Sequence, residues 1–93
     1  MIRHIVFFKN EDSAKVEKLR DMLLELEDKM DFVLDLEVGI DLVHSQRSFD
    51  LALTVTLPSI AHLDLYANHE AHLPVIEWVK ANGFESKAVD YEL

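Results

Sequence analysis

Apolar side chains recur along this chain at two periods, every second position in some stretches and every third or fourth in others. The changes of period mark out six elements. Residues 2–8, Ile-Arg-His-Ile-Val-Phe-Phe, are β-branched and aromatic and form a first strand. Ile2, His4, Val6 and Phe8 share one face and Arg3, Ile5 and Phe7 the other, so both faces are largely apolar. Asp12 and Ser13 then offer N-caps, and Val16, Leu19, Met22, Leu23, Leu26 and Met30 recur at helical spacing with charges between them. Period two returns at residues 33–40, where Leu34, Leu36, Val38 and Ile40 alternate with Asp35, Glu37 and Gly39. It appears again at residues 49–57, where Phe49, Leu51, Leu53, Val55 and Leu57 alternate with Asp50, Ala52, Thr54 and Thr56. The polar loop His-Ser-Gln-Arg-Ser joins these two strands, which are expected to pair antiparallel.

Pro58 ends the third strand, Ser59 offers another N-cap, and Ile60, Leu63 and Tyr66 follow at helical spacing. Pro74 has no backbone donor and disfavours helical geometry at Leu73, which predicts a break within residues 67–73. A further turn or two ends with Lys80 in the last turn and Gly83 as a left-handed cap. Residues 84–92 read as a last strand, with Val89 and Tyr91 on one face and Ala88, Asp90 and Glu92 on the other. The order βαββαβ gives an α+β, ferredoxin-like fold, a four-stranded antiparallel sheet with both helices on one face. The other face is left bare. The apolar alternation of Phe49, Leu51, Leu53 and Val55 assigns that bare face to a second copy, so a homodimer packed sheet to sheet into an α/β barrel is expected. A glutamate at Leu53 or Val55 should then dissociate it. Any small-molecule cavity would lie between sheet and helices or at the barrel mouth.

Composition narrows the partners. The 93 residues form one domain, 1–93, with no linker or repeat. They include no cysteine and open without the long apolar run of a signal peptide or membrane span, so a cytoplasmic location is expected. A formal charge of −9 repels phosphate backbones and anionic lipid surfaces, which argues against nucleic acid and membrane partners. The strands also lack the paired stacking aromatics and basic residues of RNA-binding modules with this topology.

Chemistry concentrates at the helix break, in Tyr66-Ala-Asn-His69-Glu70-Ala-His72. A histidine can take a proton near neutrality, while a tyrosine stays protonated and can donate to a carbonyl oxygen that becomes an enolate. His72 as base and Tyr66 as donor would suit proton abstraction beside a carbonyl with no cofactor. The competing reading is structural: Tyr66 and His72 hydrogen-bond one another, or the backbone, and fix the shape of the break. His69 with Glu70 or His4 would suit zinc or iron, but His-x-x-His without a further ligand at a fixed offset defines no metal site, and none is assigned. An oxygenase-type pocket would need His69, Asn68 and Trp78 to converge. His44 and His62 read as exposed, Asp35 and Glu37 as a solvated strand face, and Trp78 as packing the last helix on the sheet.

The chain resembles the stress-responsive A/B barrel (Dabb) family in Arg-His-Ile-Val-Phe-Phe-Lys at 3–9, Leu-Glu-Val-Gly-Ile-Asp at 36–41 and Ser-Phe-Asp-Leu-Ala-Leu at 48–53. The likeness continues in Asp-Leu-Tyr-Ala-Asn-His-Glu-Ala-His at 64–72 and Val-Asp-Tyr at 89–91, and so covers nearly the whole chain. The resemblance implies a dimeric α/β barrel. The family includes robust plant stress proteins and a plant polyketide cyclase that uses a tyrosine and a histidine of a Tyr-x-x-His-Pro-x-His stretch. By that resemblance Tyr66 and His72 hold the catalytic positions, and His4 matches a first-strand histidine of the same pocket. His4 and His69 are the candidate ligand-binding residues. Glu70 stands where the family pattern has proline, which shifts the bend towards Pro74 and adds a carboxylate.

Overall fold

In the computed structural model, which describes residues 1–93, the strand apolar on both faces lies inside the sheet. β1 (Ile2–Lys9) has β3 (Leu51–Leu57) on one side and β4 (Glu85–Glu92) on the other, and β2 (Asp35–Ile40) pairs with the far edge of β3. The order is β2-β3-β1-β4, antiparallel throughout. The helices α1 (Ser13–Leu24), α2 (Ile60–Ala67) and α3 (Leu73–Ala81) supply the second layer. This is the ferredoxin-like fold read from the sequence. No helix is long and apolar enough to cross a membrane.

The core lies between the layers. Ile2, Val6 and Phe8 of β1 stand opposite Leu57, Leu53 and Leu51 of β3, and all six are buried with Val16, Leu19 and Leu23 of α1. This corrects the expected partner face. Leu53 and Val55 are 2% and 0% exposed beneath the helices, whereas the bare face carries Ile5 and Phe7, Ala52 and Thr54, Val89 and Tyr91. Alternation says which residues share a face, not which face the helices take. The leucines and Val55 of β3 fill the core, and its smaller Ala52 and Thr54 lie half-buried on the opposite face. Phe49 is a second correction. β3 begins only at Leu51, so Phe49 leaves the alternation, and its ring lies 6.3 Å from that of Phe7 on the bare side.

Other boundaries moved for local reasons. The first helix was expected to reach Met30, but α1 ends at Leu24 and a 3₁₀ turn over Glu27–Lys29 follows. The tighter turn still buries Leu26 and Met30 while redirecting the chain towards β2. Leu34 precedes β2 and is exposed, not part of its core-facing row, although its N–H still donates to the Thr56 carbonyl. The Asp12 carboxylate accepts from the Ala14 N–H and caps α1 as expected. Ser59 occupies the N-cap position of α2 without a capping bond, because its hydroxyl bonds the His62 ring instead. Gly83, at φ 73°, closes α3 in the left-handed conformation, with the Phe84 N–H returning to the Val79 carbonyl.

Candidate functional site

The helical segment breaks between Ala67 and Leu73, and Pro74 sits in the first turn of α3, where a missing N–H costs nothing. Within the break, the His72 N–H donates to the His69 carbonyl at 2.9 Å, and His72 Nδ1 lies 3.1 Å from the Ala67 carbonyl oxygen. A carbonyl only accepts, so Nδ1 carries the proton and the neutral ring keeps its lone pair on Nε2. His72 therefore spans the break, as the structural reading of the cluster required, and still presents a free nitrogen.

Tyr66, on the last turn of α2, is 1% exposed and lies beside two imidazoles. Its ring centroid is 4.6 Å from that of His72 and 5.7 Å, edge-on, from that of His4 on β1. Its hydroxyl is buried and has no hydrogen-bond partner. Tyr66 and His72 thus do not bond to one another. Burial drives the phenol pKa well above its ordinary value, so the group stays protonated at any physiological pH. Burial also lowers the His72 pKa below its ordinary 6.5; the Ala67 hydrogen bond opposes this, and the neighbouring His4 and His69 add to it. A neutral His72 is what a base needs.

His4 is held from the other side. Its Nδ1 lies 2.5 Å from Asp90 Oδ1 on β4, the residue opposite it in the β1–β4 register. The carboxylate accepts, which fixes the tautomer and leaves His4 Nε2 with a lone pair when the ring is neutral. Asp90 was not singled out in the sequence. Its placement with Ala88 and Glu92 on one strand face was legible, but its pairing with a residue 86 positions away rests on strand register.

His4 and His72 line a cavity of about 310 Å³ between α3 and the sheet, a volume at the small end for ligand sites. Val6 and Phe8 of β1, Val75 and Ile76 of α3, and Ala88 of β4 make most of its apolar wall. Tyr66 is not among the lining residues, which corrects its expected place in the wall: it lies behind the two histidines. His69 lies elsewhere too, its Nδ1 accepting from the Ala71 N–H and its ring 6.4 Å from that of Phe32. No group of three or more His, Asp or Glu residues is placed to hold a metal ion. The oxygenase arrangement is not formed. Asn68 bonds the Asp64 carbonyl, His69 faces Phe32, and Trp78 lies against Phe84 with Lys18 over its ring. His62, expected to be exposed, is half-buried between Ser59 and Phe32, while His44 is exposed in the β2–β3 loop. A larger hollow, about 410 Å³, opens on the bare face between Phe7 and Phe49, with Arg47 and no histidine.

Comparison with known proteins finds the same ferredoxin-like fold in several solved structures. A dimeric ferredoxin-like protein from Thermobifida fusca has 23% identity and a TM-score of 0.85, covering 99% of this chain and 90% of that one. A similar protein from Bacteroides fragilis gives 21%, 0.86, 99% and 95%. A hydroxynitrile lyase from Passiflora edulis gives 18%, 0.80, 99% and 92%. At these identities the likeness is one of fold. The chain belongs to the Stress responsive A/B Barrel Domain family, which it matches over residues 2–93. No curated protein matches it.

Proposed function

We propose that this protein is a homodimer, joined through its bare sheet faces, that binds a small apolar carbonyl-containing molecule in the slot beneath α3. The observation that carries the ligand reading is the orphaned Tyr66 hydroxyl. A buried polar group without a partner is costly and rare away from functional sites. Here it stands against two imidazoles whose remaining nitrogens are unbonded. A carbonyl oxygen seated at the histidines supplies the acceptor that the phenol lacks, once the His72 ring yields to admit it. The dimer is supported by Phe7, Val89 and Tyr91, exposed at 44%, 58% and 41% on one face, and by the dimeric relatives. An interface there would also cover the hollow at Phe7 and Phe49.

Titration calorimetry with phenylacetone, an apolar ketone of suitable size, tests the pocket. Wild-type protein should bind one molecule per chain. Ala88→Trp, which fills the slot from the exposed strand β4, should bind none while keeping its fold. Equal binding by the variant, or none by the wild type, would refute the pocket.

The free Nε2 and depressed pKa of His72 favour a second, catalytic reading of the same slot. His72 removes the proton next to the carbonyl, the C–H electron pair becomes the enolate double bond, and Tyr66 hydrogen-bonds the resulting oxyanion. Protonation of the enolate by His72 restores the base. Hydrogen–deuterium exchange of phenylacetone in D₂O, followed by NMR, should then be faster with wild-type protein than in buffer and fall to the buffer rate with His72→Ala. Exchange unchanged by that substitution would leave binding without catalysis.

A further inference from the structure

The slot beneath α3 is apolar along its length and polar at its two ends, and the ends differ in charge. His72 lies just before α3 and Lys80 in its last turn, which separates them by roughly 12 Å along the helix axis. β1 runs alongside over a similar length, from His4 near His72 to Phe8 near Phe84 and Ser86. One end therefore holds the two histidines, and the other holds an ammonium group at the mouth, where Lys80 and Ser86 are exposed.

Charge in the rest of the chain makes this arrangement specific. The protein has 18 acidic side chains and a formal charge of −9, yet no carboxylate lines the slot. Lys80 is the one Lys or Arg that does. It forms none of the ion pairs in the structure and covers no aromatic ring, whereas Lys29 pairs with Glu25, and Lys9 and Lys18 lie over Phe49 and Trp78. Its position near a helix C-terminus favours a cation, but that alone does not account for a cavity wall cleared of acidic groups.

Building on the pocket reading above, we propose that the ligand is an elongated amphipathic carboxylic acid. Its carboxylate pairs with Lys80 at the mouth, its apolar chain fills the slot, and its far end, where a carbonyl would sit, reaches His4 and His72. Lys80 is the residue that selects for the acid.

Octanoic acid and octan-1-ol, titrated separately by calorimetry at pH 7.5 and low salt, give the test. The two probes share a chain and differ at the end that meets Lys80. Wild-type protein should bind the acid about fivefold more tightly than the alcohol, the scale of an exposed ion pair. Added salt should shrink that ratio. Lys80→Met should bring the acid to or below the alcohol, since the remaining field of the protein is repulsive, while Lys80→Arg restores the preference. A merely structural role for Lys80 would move stability and leave the ratio unchanged. Equal affinity of both probes for the wild type, or an acid preference that survives Lys80→Met, overturns this proposal and leaves the pocket standing. Failure of both probes to bind the wild type, or binding of either that Ala88→Trp does not block, overturns the pocket and this proposal together.

Discussion

The Tyr66 hydroxyl is the most informative single group in the molecule, because its isolation gives two readings of the site opposite consequences. A phenol that held the helix break by hydrogen bonding would cost stability when removed. An orphaned one gives some back. Tyr66→Phe should therefore unfold in urea at the same or higher denaturant concentration, with a gain of up to about 1 kcal/mol, while ligand binding weakens. A loss of about 1 kcal/mol or more would reveal a bonding partner in solution. His72 gives a pH test. Its folded pKa lies below the ordinary 6.5, so the unfolded chain takes up the proton first as pH falls. The stability associated with neutral His72 is thus present above pH 6.5 and is lost as pH falls through the lower, folded pKa. The difference in unfolding free energy between pH 7.5 and pH 5 should be smaller for His72→Gln than for wild type, and an equal difference would show that His72 titrates normally. The types of His4, Tyr66 and His72, and the position of the last two beside a helix break, were legible in the sequence. That Tyr66 stands behind the histidines, and that Asp90 holds His4, depends on ring packing and on register between strands at opposite ends of the chain.

Among the elements, the break before α3 and the cap after it set where the slot begins and ends. Gly83 at φ 73° turns the chain from α3 into β4, and a Cβ added there would meet no atom within 4 Å. Gly83→Ala should therefore cost about 1 kcal/mol through backbone strain alone, measurable by chemical denaturation, with ligand affinity retained. No loss of stability would mean that the left-handed turn is not held in solution. Pro74 and Gly83 announced these boundaries because each acts through its own backbone chemistry. Leu34 and Phe49 misled because both lie just outside the paired rows of β2 and β3, a boundary that periodicity does not register.

For the whole molecule, the order of elements was enough to give the sheet and its helical layer, since short connections and right-handed crossovers leave few arrangements of βαββαβ. The identity of the covered face was not. The signal that distinguishes the faces is side-chain size on β3, where the leucines and Val55 fill the core and the smaller Ala52 and Thr54 take the half-buried opposite face. The dimer test moves accordingly. Phe7→Glu or Val89→Glu should give a folded monomer by light scattering, whereas Leu53→Glu should unfold the chain by placing a charge in its core. A dimer that survives both bare-face substitutions would exclude that face. NMR of phenylacetone labelled with ¹³C throughout its side chain reports whether a carbonyl group lies against His4 and His72. Bound ligand should show intermolecular nuclear Overhauser effects from its labelled methyl and methylene protons to the ring protons of His4 and His72, with a downfield shift of its carbonyl carbon that diminishes in Tyr66→Phe. Contacts confined to the bare-face hollow near Phe7 and Phe49, with the His4 and His72 resonances unmoved, would contradict the account.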